Sequence, residues 1–232
     1  MRILGLIPAR GGSKGIPRKN IKLLHGKELI RYTIESGLNC KVISKLVVST
    51  DDEEIANIAK DAGAEVPFLR PAELANDKAP TIDTIVHALK YFEKKSENFD
   101  AVCLLQPTVP FRNGIDLDKA IQKFISKGAS SLISVREVPH VYNPYWIFEQ
   151  EPTSGFLKLA KTQKTIVARR QELPKSFYRD GSVYITKKDI LLNENSLYGN
   201  AITHHIMQYS PDINIDTMED WDAAVAYAKE QF

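Results

Sequence analysis

The sequence predicts an α/β domain with a mainly parallel sheet. Two observations carry the prediction. Short, continuous apolar runs alternate with segments of helical periodicity, the pattern of strands covered on both faces by helices. A stretch rich in glycine and cations, ARGGSKGIPRKN, directly follows the first apolar run, where ligands commonly bind beyond a strand's carboxyl end.

Residues 3–7, 46–48, 101–105 and 132–135 are the apolar runs, each short enough for a buried strand. Residues 29–38, 53–62, 82–92 and 115–124 show helical spacing between them. The clearest is 82–92, where Ile82, Ile85, Val86, Leu89 and Phe92 form one stripe. The rhythm breaks after Arg136. Residues 137–181 are rich in proline, aromatics and cations and lack a long helical pattern, so they read as an extended arm, a lid or an oligomerisation element inserted in a single domain spanning 1–232. The α/β pattern resumes with a strand at SVYIT, a short helix at 189–192, a strand at 202–207 and a final helix carrying Met218, Trp221, Val225 and Ala228.

Composition narrows the function classes. The balance of 31 basic and 29 acidic residues gives a net charge of only +2, which argues against a general nucleic-acid binder and makes any phosphate recognition local. No apolar run reaches the roughly 20 residues that span a bilayer, and the N-terminus lacks the order of a signal peptide, so a cytoplasmic protein is expected. The 2 cysteines, Cys40 and Cys103, have no metal-ligand or redox spacing. His87, His140, His204 and His205 have no evident partner and are expected to be structural or on the surface.

In the loop, Gly11, Gly12 and Gly15 allow close backbone approach and inward N–H groups, while Arg10, Lys14, Arg18 and Lys19 can neutralise phosphate. The order GGSKG matches neither GxGxxG nor GxxxxGK[ST], so a dinucleotide dehydrogenase and a Walker-type NTPase lose support.

IPARGGSKGIPRKNI, followed in order by VVSTDDEEIA, LRPAELANDKAPT, LLQPTVPFR, ARRQELP and INIDTMEDW, resembles the acylneuraminate cytidylyltransferase family, the synthetases of CMP-sialic acid and related nine-carbon keto acids. The resemblance implies a Rossmann-like nucleotidyltransferase fold whose extended arm exchanges within a homodimer. It implies that CTP and Mg²⁺ are used, that a nonulosonate hydroxyl attacks the α-phosphate, and that pyrophosphate leaves.

By the same resemblance Arg10 and Lys14 are catalytic and hold the triphosphate. Ala9, Gly11, Gly12, Ser13, Asn20, Arg70, Ala79 and Thr81 would bind the nucleotide, with Arg70, Ala79 and Thr81 at positions that discriminate cytosine. Gln106, Trp146, Arg170, Gln171 and Tyr184 would contact the sugar, and Arg170 can hold a carboxylate in a bidentate pair. Asp216, Asn214 and Asp51 would serve the metal.

Two positions depart from the family pattern. The family has two aspartates where this chain has Asn214 and Asp216, which removes one negative charge. Trp146 stands where sialic acid synthetases often carry a lysine; it can stack on a ring or N-acyl group but cannot pair with a carboxylate, favouring a modified nonulosonate such as a legionaminate-like sugar. An eight-carbon keto sugar is the alternative acceptor, against which the glycine loop argues. A catalytically weak nucleotide-binding module is the alternative of another class, suggested by Asn214.

Overall fold

The computed structural model describes residues 1–161, 165–208 and 210–231. The chain forms two compact units, one comprising Met1–Ser134 and the chain from Asp180 onward, the other Val135–Arg179.

The first unit opens with β1 (Ile3–Pro8) and a loop that ends in a 3₁₀ turn at Lys19–Ile21. A hairpin follows, β2 (Leu23–Leu24) and β3 (Lys27–Glu28), antiparallel around His25 and Gly26. Both turn residues have positive φ, 49° and 78°, the conformation of a type I′ turn. Two-residue strands carry too little periodicity to be read from sequence, and this hairpin was not expected. After it come α1 (Leu29–Leu38), β4 (Lys45–Ser49), α2 (Glu53–Asp61), α3 (Thr81–Lys94), β5 (Ala101–Leu104) and α4 (Gly114–Ser126). Asp52 and Asn113 cap α2 and α4 by accepting from Ile55 N and Ile115 N.

β6 (Ser131–Glu137) leads into the second unit, where β7 (Phe148–Gln150) and β8 (Leu157–Leu159) pair antiparallel. β9 (Phe177–Lys187) returns to the first unit. β10 (Ile202–Ile206) and α5 (Met218–Gln231) follow. The short helix expected at 189–192 is a π-helical turn, Ile190–Glu194, ended by left-handed Asn195.

The central sheet has six strands in the order β10-β6-β9-β5-β1-β4. β1 runs parallel to β4 and to β5, with Leu6 opposite Val47 and Leu4 opposite Val102. β9 is antiparallel to β5, so the sheet is mixed on that side.

Alternation along β1 explains its uninterrupted apolarity. Ile3 and Ile7 face one core with Ile30 and Ile34 of α1, Ile55 of α2 and Phe124 of α4. Leu4 and Leu6 face the other with Ile85, Leu89 and Phe92 of α3. Phe124 is fully buried, and truncating it to alanine would cost about 3–5 kcal/mol. A third cluster joins Ile16 and the hairpin's Leu24 to Ile215 and Trp221, so the cationic loop is anchored from below by α5 and the segment before it.

The second unit, Val135–Arg179, overlaps the stretch 137–181, whose residues 162–164 lie outside the described residues. Trp146 Nε1 donates to Val167 O at 2.6 Å, and Asn143 Nδ2 to Pro174 O at 3.0 Å. Val141, Tyr142, Phe148, Phe156, Leu157 and Ile166 are exposed on it.

Candidate active site

A cavity of about 550 Å³ opens at the carboxyl ends of β1 and β5. Its walls bring together Arg10, Ser13, Lys14, Gly15, Lys19 and Asn20 of the first loop, Arg70, Ala79, Thr81 and Thr84, and Gln106, Pro107, Thr108 and Asp216. Of the expected first-unit residues, Arg10, Ser13, Lys14, Asn20, Arg70, Ala79, Thr81, Gln106 and Asp216 line it, whereas Ala9, Gly11, Gly12, Asp51, Tyr184 and Asn214 do not.

The first loop is held from several directions. Asn20 is buried and donates to Arg10 O at 2.9 Å, closing the loop on itself. Lys19 Nζ donates to Ile215 O at 2.6 Å and lies 3.5 Å from Asp216 Oδ1. A Cβ on Gly15 would come within 2.5 Å of Asp216 O, so only glycine lets the two segments pass.

Arg10 and Lys14 present their head groups to one carboxylate. Asp77 Oδ1 lies 2.9 Å from Arg10 Nη1, and Asp77 Oδ2 lies 2.7 Å from Lys14 Nζ. Lys14 above all, with Arg10, holds the Asp77 carboxyl below the usual carboxylate range. Asp77 was not among the expected site residues. Its acidic side chain offered no phosphate-binding signal, although it stands within the quoted LRPAELANDKAPT.

Arg18 takes a different course from the one expected. It pairs with Asp52 and Glu54 at the start of α2 and does not line the cavity. The hydrogen bond to Asp52 is the main cause of its raised pKa, and Arg18 in turn lowers that of Asp52.

Several other expected residues lie outside the cavity wall. Ala9 is buried and continues β1 by donating to Ser49 O. Gly11 sends its N–H to Asp51 Oδ1 at 3.1 Å, not inward, and a Cβ there would meet Asp52. Gly12 faces open space. Tyr184 packs in the α3 core, edge-on to Tyr198, because β9 alternation turns it inward. Asp51, expected at the metal, is engaged by Gly11 and by Arg70 Nη2 at 3.6 Å.

Arg70 forms part of the cavity wall. Nη1 donates to Thr84 Oγ1 at 3.0 Å, while the buried Nε and Nη2 have no hydrogen-bond partner among the described residues. Burial lowers its pKa and the Asp51 charge opposes that effect. Arg70 shares this wall with Ala79 and Thr81, and a planar guanidinium there suits the carbonyl edge of a nucleobase.

Next to Asp216, Thr217 caps α5. Its Oγ1 accepts from Asp220 N at 3.2 Å, and Asp220 accepts from Thr217 N at 2.8 Å and Asp216 N at 3.0 Å. These bonds lower the Asp220 pKa. Asp216 is therefore not needed as a cap; its side chain is 66% exposed. Asn214 Nδ2 donates to Asp216 Oδ2 at 3.3 Å. No group of three or more His, Cys, Asp or Glu able to hold a metal occurs among the described residues.

In the second unit, Arg170 lines a cleft of about 410 Å³ with Glu137, His140, Asn143 and Lys175; Gln171 is exposed, and Trp146 is half-buried beside His140. Of the other histidines, His87 packs against Phe68, and His205 Nε2 lies 3.4 Å from buried Asp116. Cys40 and Cys103 are buried thiols.

Comparison with known proteins accords with this geometry. Residues 4–230 match the family model for cytidylyltransferases. The chain is 32% identical to a pseudaminic acid cytidylyltransferase of Campylobacter jejuni, covering 97% of this chain and 95% of that one. It is 35% identical to a CMP-N,N'-diacetyllegionaminic acid synthase of Legionella pneumophila, covering 95% and 94%. Its fold superposes on a CMP:2-keto-3-deoxy-manno-octonic acid synthetase complexed with CTP with a TM-score of 0.75 at 16% identity, covering all of both chains. With the matching family model spanning nearly the whole chain, the protein belongs to the cytidylyltransferase family.

Proposed function

We propose that this protein transfers CMP from CTP to a nine-carbon α-keto acid sugar of the pseudaminic, legionaminic or sialic type. The observation that carries the reading is the single cavity joining Arg10 and Lys14 to Arg70, Ala79 and Thr81 and to Gln106. Cations for a triphosphate, donors for a base and an amide for a sugar stand around one space. The relatives' names supply the acceptor class.

In the proposed reaction an acceptor hydroxyl oxygen attacks the α-phosphorus. A new P–O bond forms, the bond to the α,β-bridging oxygen breaks, pyrophosphate carries away that electron pair, and the hydroxyl proton is released. Arg10 and Lys14 orient the triphosphate and meet the charge that grows on the leaving group. Arg70, with Ala79 and Thr81, reads cytosine, and Gln106 positions the sugar.

Mg²⁺ commonly binds through one or two carboxylates together with substrate phosphates. An exposed Asp216 with the Asn214 amide beside it fits that arrangement, and these two residues would hold the ion. When bound, the ion would neutralise triphosphate charge.

Arg170, Gln171 and Trp146 are assigned to the acceptor by sequence resemblance. We also propose homodimerisation through the Val135–Arg179 unit, whose exposed apolar side chains a second copy would cover. No described helix is long and apolar enough to cross a membrane. A cytoplasmic location, where CTP is available, is part of the same proposal.

The test is to incubate the protein with CTP, Mg²⁺ and, separately, pseudaminic, N,N'-diacetyllegionaminic, N-acetylneuraminic and eight-carbon keto acids, measuring pyrophosphate. Release with a nine-carbon acid is expected. CTP binding without release for any acceptor would instead support the nucleotide-binding module that Asn214 suggests.

A further inference from the structure

Arg112 lies behind Gln106 and is only 5% exposed. Its Nη2 donates to Gln106 O at 2.8 Å, its Nε to Ser182 O at 2.7 Å and its Nη1 to Thr33 Oγ1 at 3.3 Å. A buried guanidinium is costly unless its donors are matched, and its rigid fork imposes fixed directions on the groups it meets. The two carbonyls it grips belong to segments bordering the sugar side of the cavity. Gln106 follows β5, and Ser182 follows Gly181 in β9. A Cβ on Gly181 would lie 3.8 Å from both Gln106 Oε1 and Asn214 Nδ2.

We propose that Arg112 is a positioning residue for the acceptor, fixing the Gln106 turn against residues 181–182 without touching either substrate. The inference rests on Gln106 being an acceptor contact. Burial lowers the Arg112 pKa to about 10, so the guanidinium stays charged at neutral pH and its charge-assisted bonds persist there. A lysine would keep the charge but not the fork. Thr33 anchors the same guanidinium from α1, away from both carbonyls, which separates fold support from positioning.

The experiment compares wild type with Arg112→Lys, Thr33→Val and Gln106→Ala. It measures the CTP Kd by calorimetry, the thermal midpoint, and steady-state kinetics with pseudaminic or N,N'-diacetyllegionaminic acid, whichever turns over. For Arg112→Lys, a CTP Kd within about twofold of wild type and an acceptor KM or kcat worse by roughly tenfold or more are expected, since small misplacements of positioning groups have large kinetic effects. Thr33→Val should lower the thermal midpoint without moving the acceptor KM. Gln106→Ala should raise the acceptor KM; unchanged acceptor kinetics in that variant would retire the Gln106 reading and this proposal with it. If Gln106→Ala behaves as expected, three results overturn the role of Arg112 alone: unchanged acceptor kinetics in Arg112→Lys, a CTP Kd rising in step with acceptor KM, or an equal acceptor effect in Thr33→Val. Should Arg112→Lys not fold, Arg112→Met is read the same way, and failure of both to fold assigns the guanidinium to the fold and overturns the proposal.

Discussion

The Asp77 carboxylate stands 2.7 Å from the Lys14 ammonium, and the same carboxylate is shared with Arg10. An anionic side chain therefore occupies the two cations proposed to receive a triphosphate. Nucleotide entry would exchange one anion for another. Asp77→Asn should tighten CTP binding several-fold while changing cytidine binding little, with a larger gain at low ionic strength. Calorimetry at two salt concentrations checks this; weaker CTP binding in the variant would show that Asp77 assists the nucleotide.

Lys14 is 80% exposed, and an exposed ion pair of this kind contributes little to folding. Its proposed role lies in the transition state. Lys14→Ala is expected to lower kcat about a hundredfold or more, as loss of a preorganised charge contact typically does, with an unchanged thermal midpoint. Wild-type kcat in the variant would remove Lys14 from the mechanism.

Asn214 touches Asp216 and supplies no charge of its own. Asn214→Asp would place a second carboxylate beside the first and raise affinity for a divalent cation. The Mg²⁺ concentration giving half-maximal pyrophosphate release should fall. A titration with no shift would argue against a metal role for position 214.

Asp52 connects the cationic loop to α2, capping the helix while pairing with Arg18. Its folded pKa lies below the ordinary 3.8, chiefly through Arg18. The resulting stabilisation is fully present above the ordinary value and is lost as pH falls through the depressed one. Asp52→Asn keeps a competent cap but loses the ion pair. At neutral pH it should cost less than about 1 kcal/mol, since Arg18 is substantially exposed. That difference should vanish in strong acid, as denaturant unfolding across pH will reveal.

The sheet, its two covered faces and most of the helices follow from the sequence alone, because burial on both sides demands continuous apolarity and burial on one side demands a stripe. Ile3, Ile7, Leu4 and Leu6 carry the first signal, and the stripe of α3 carries the second. The cationic loop after β1 was legible from its own glycines and cations, whereas Arg70 and Gln106 were named through the family resemblance. Tertiary structure decided the partners. Lys14 and Arg18 look alike along the chain, yet Lys14 meets Asp77 at the cavity while Arg18 meets Asp52 and Glu54 at a helix start. Asp51, named for the metal in the sequence, takes Gly11 and Arg70 as neighbours in the folded chain. Arg112 reads as a loop cation until Thr33 and Ser182, 79 and 70 residues away, close around it. A charge acts on whatever stands within a few ångströms, and folding selects those neighbours from distant parts of the chain.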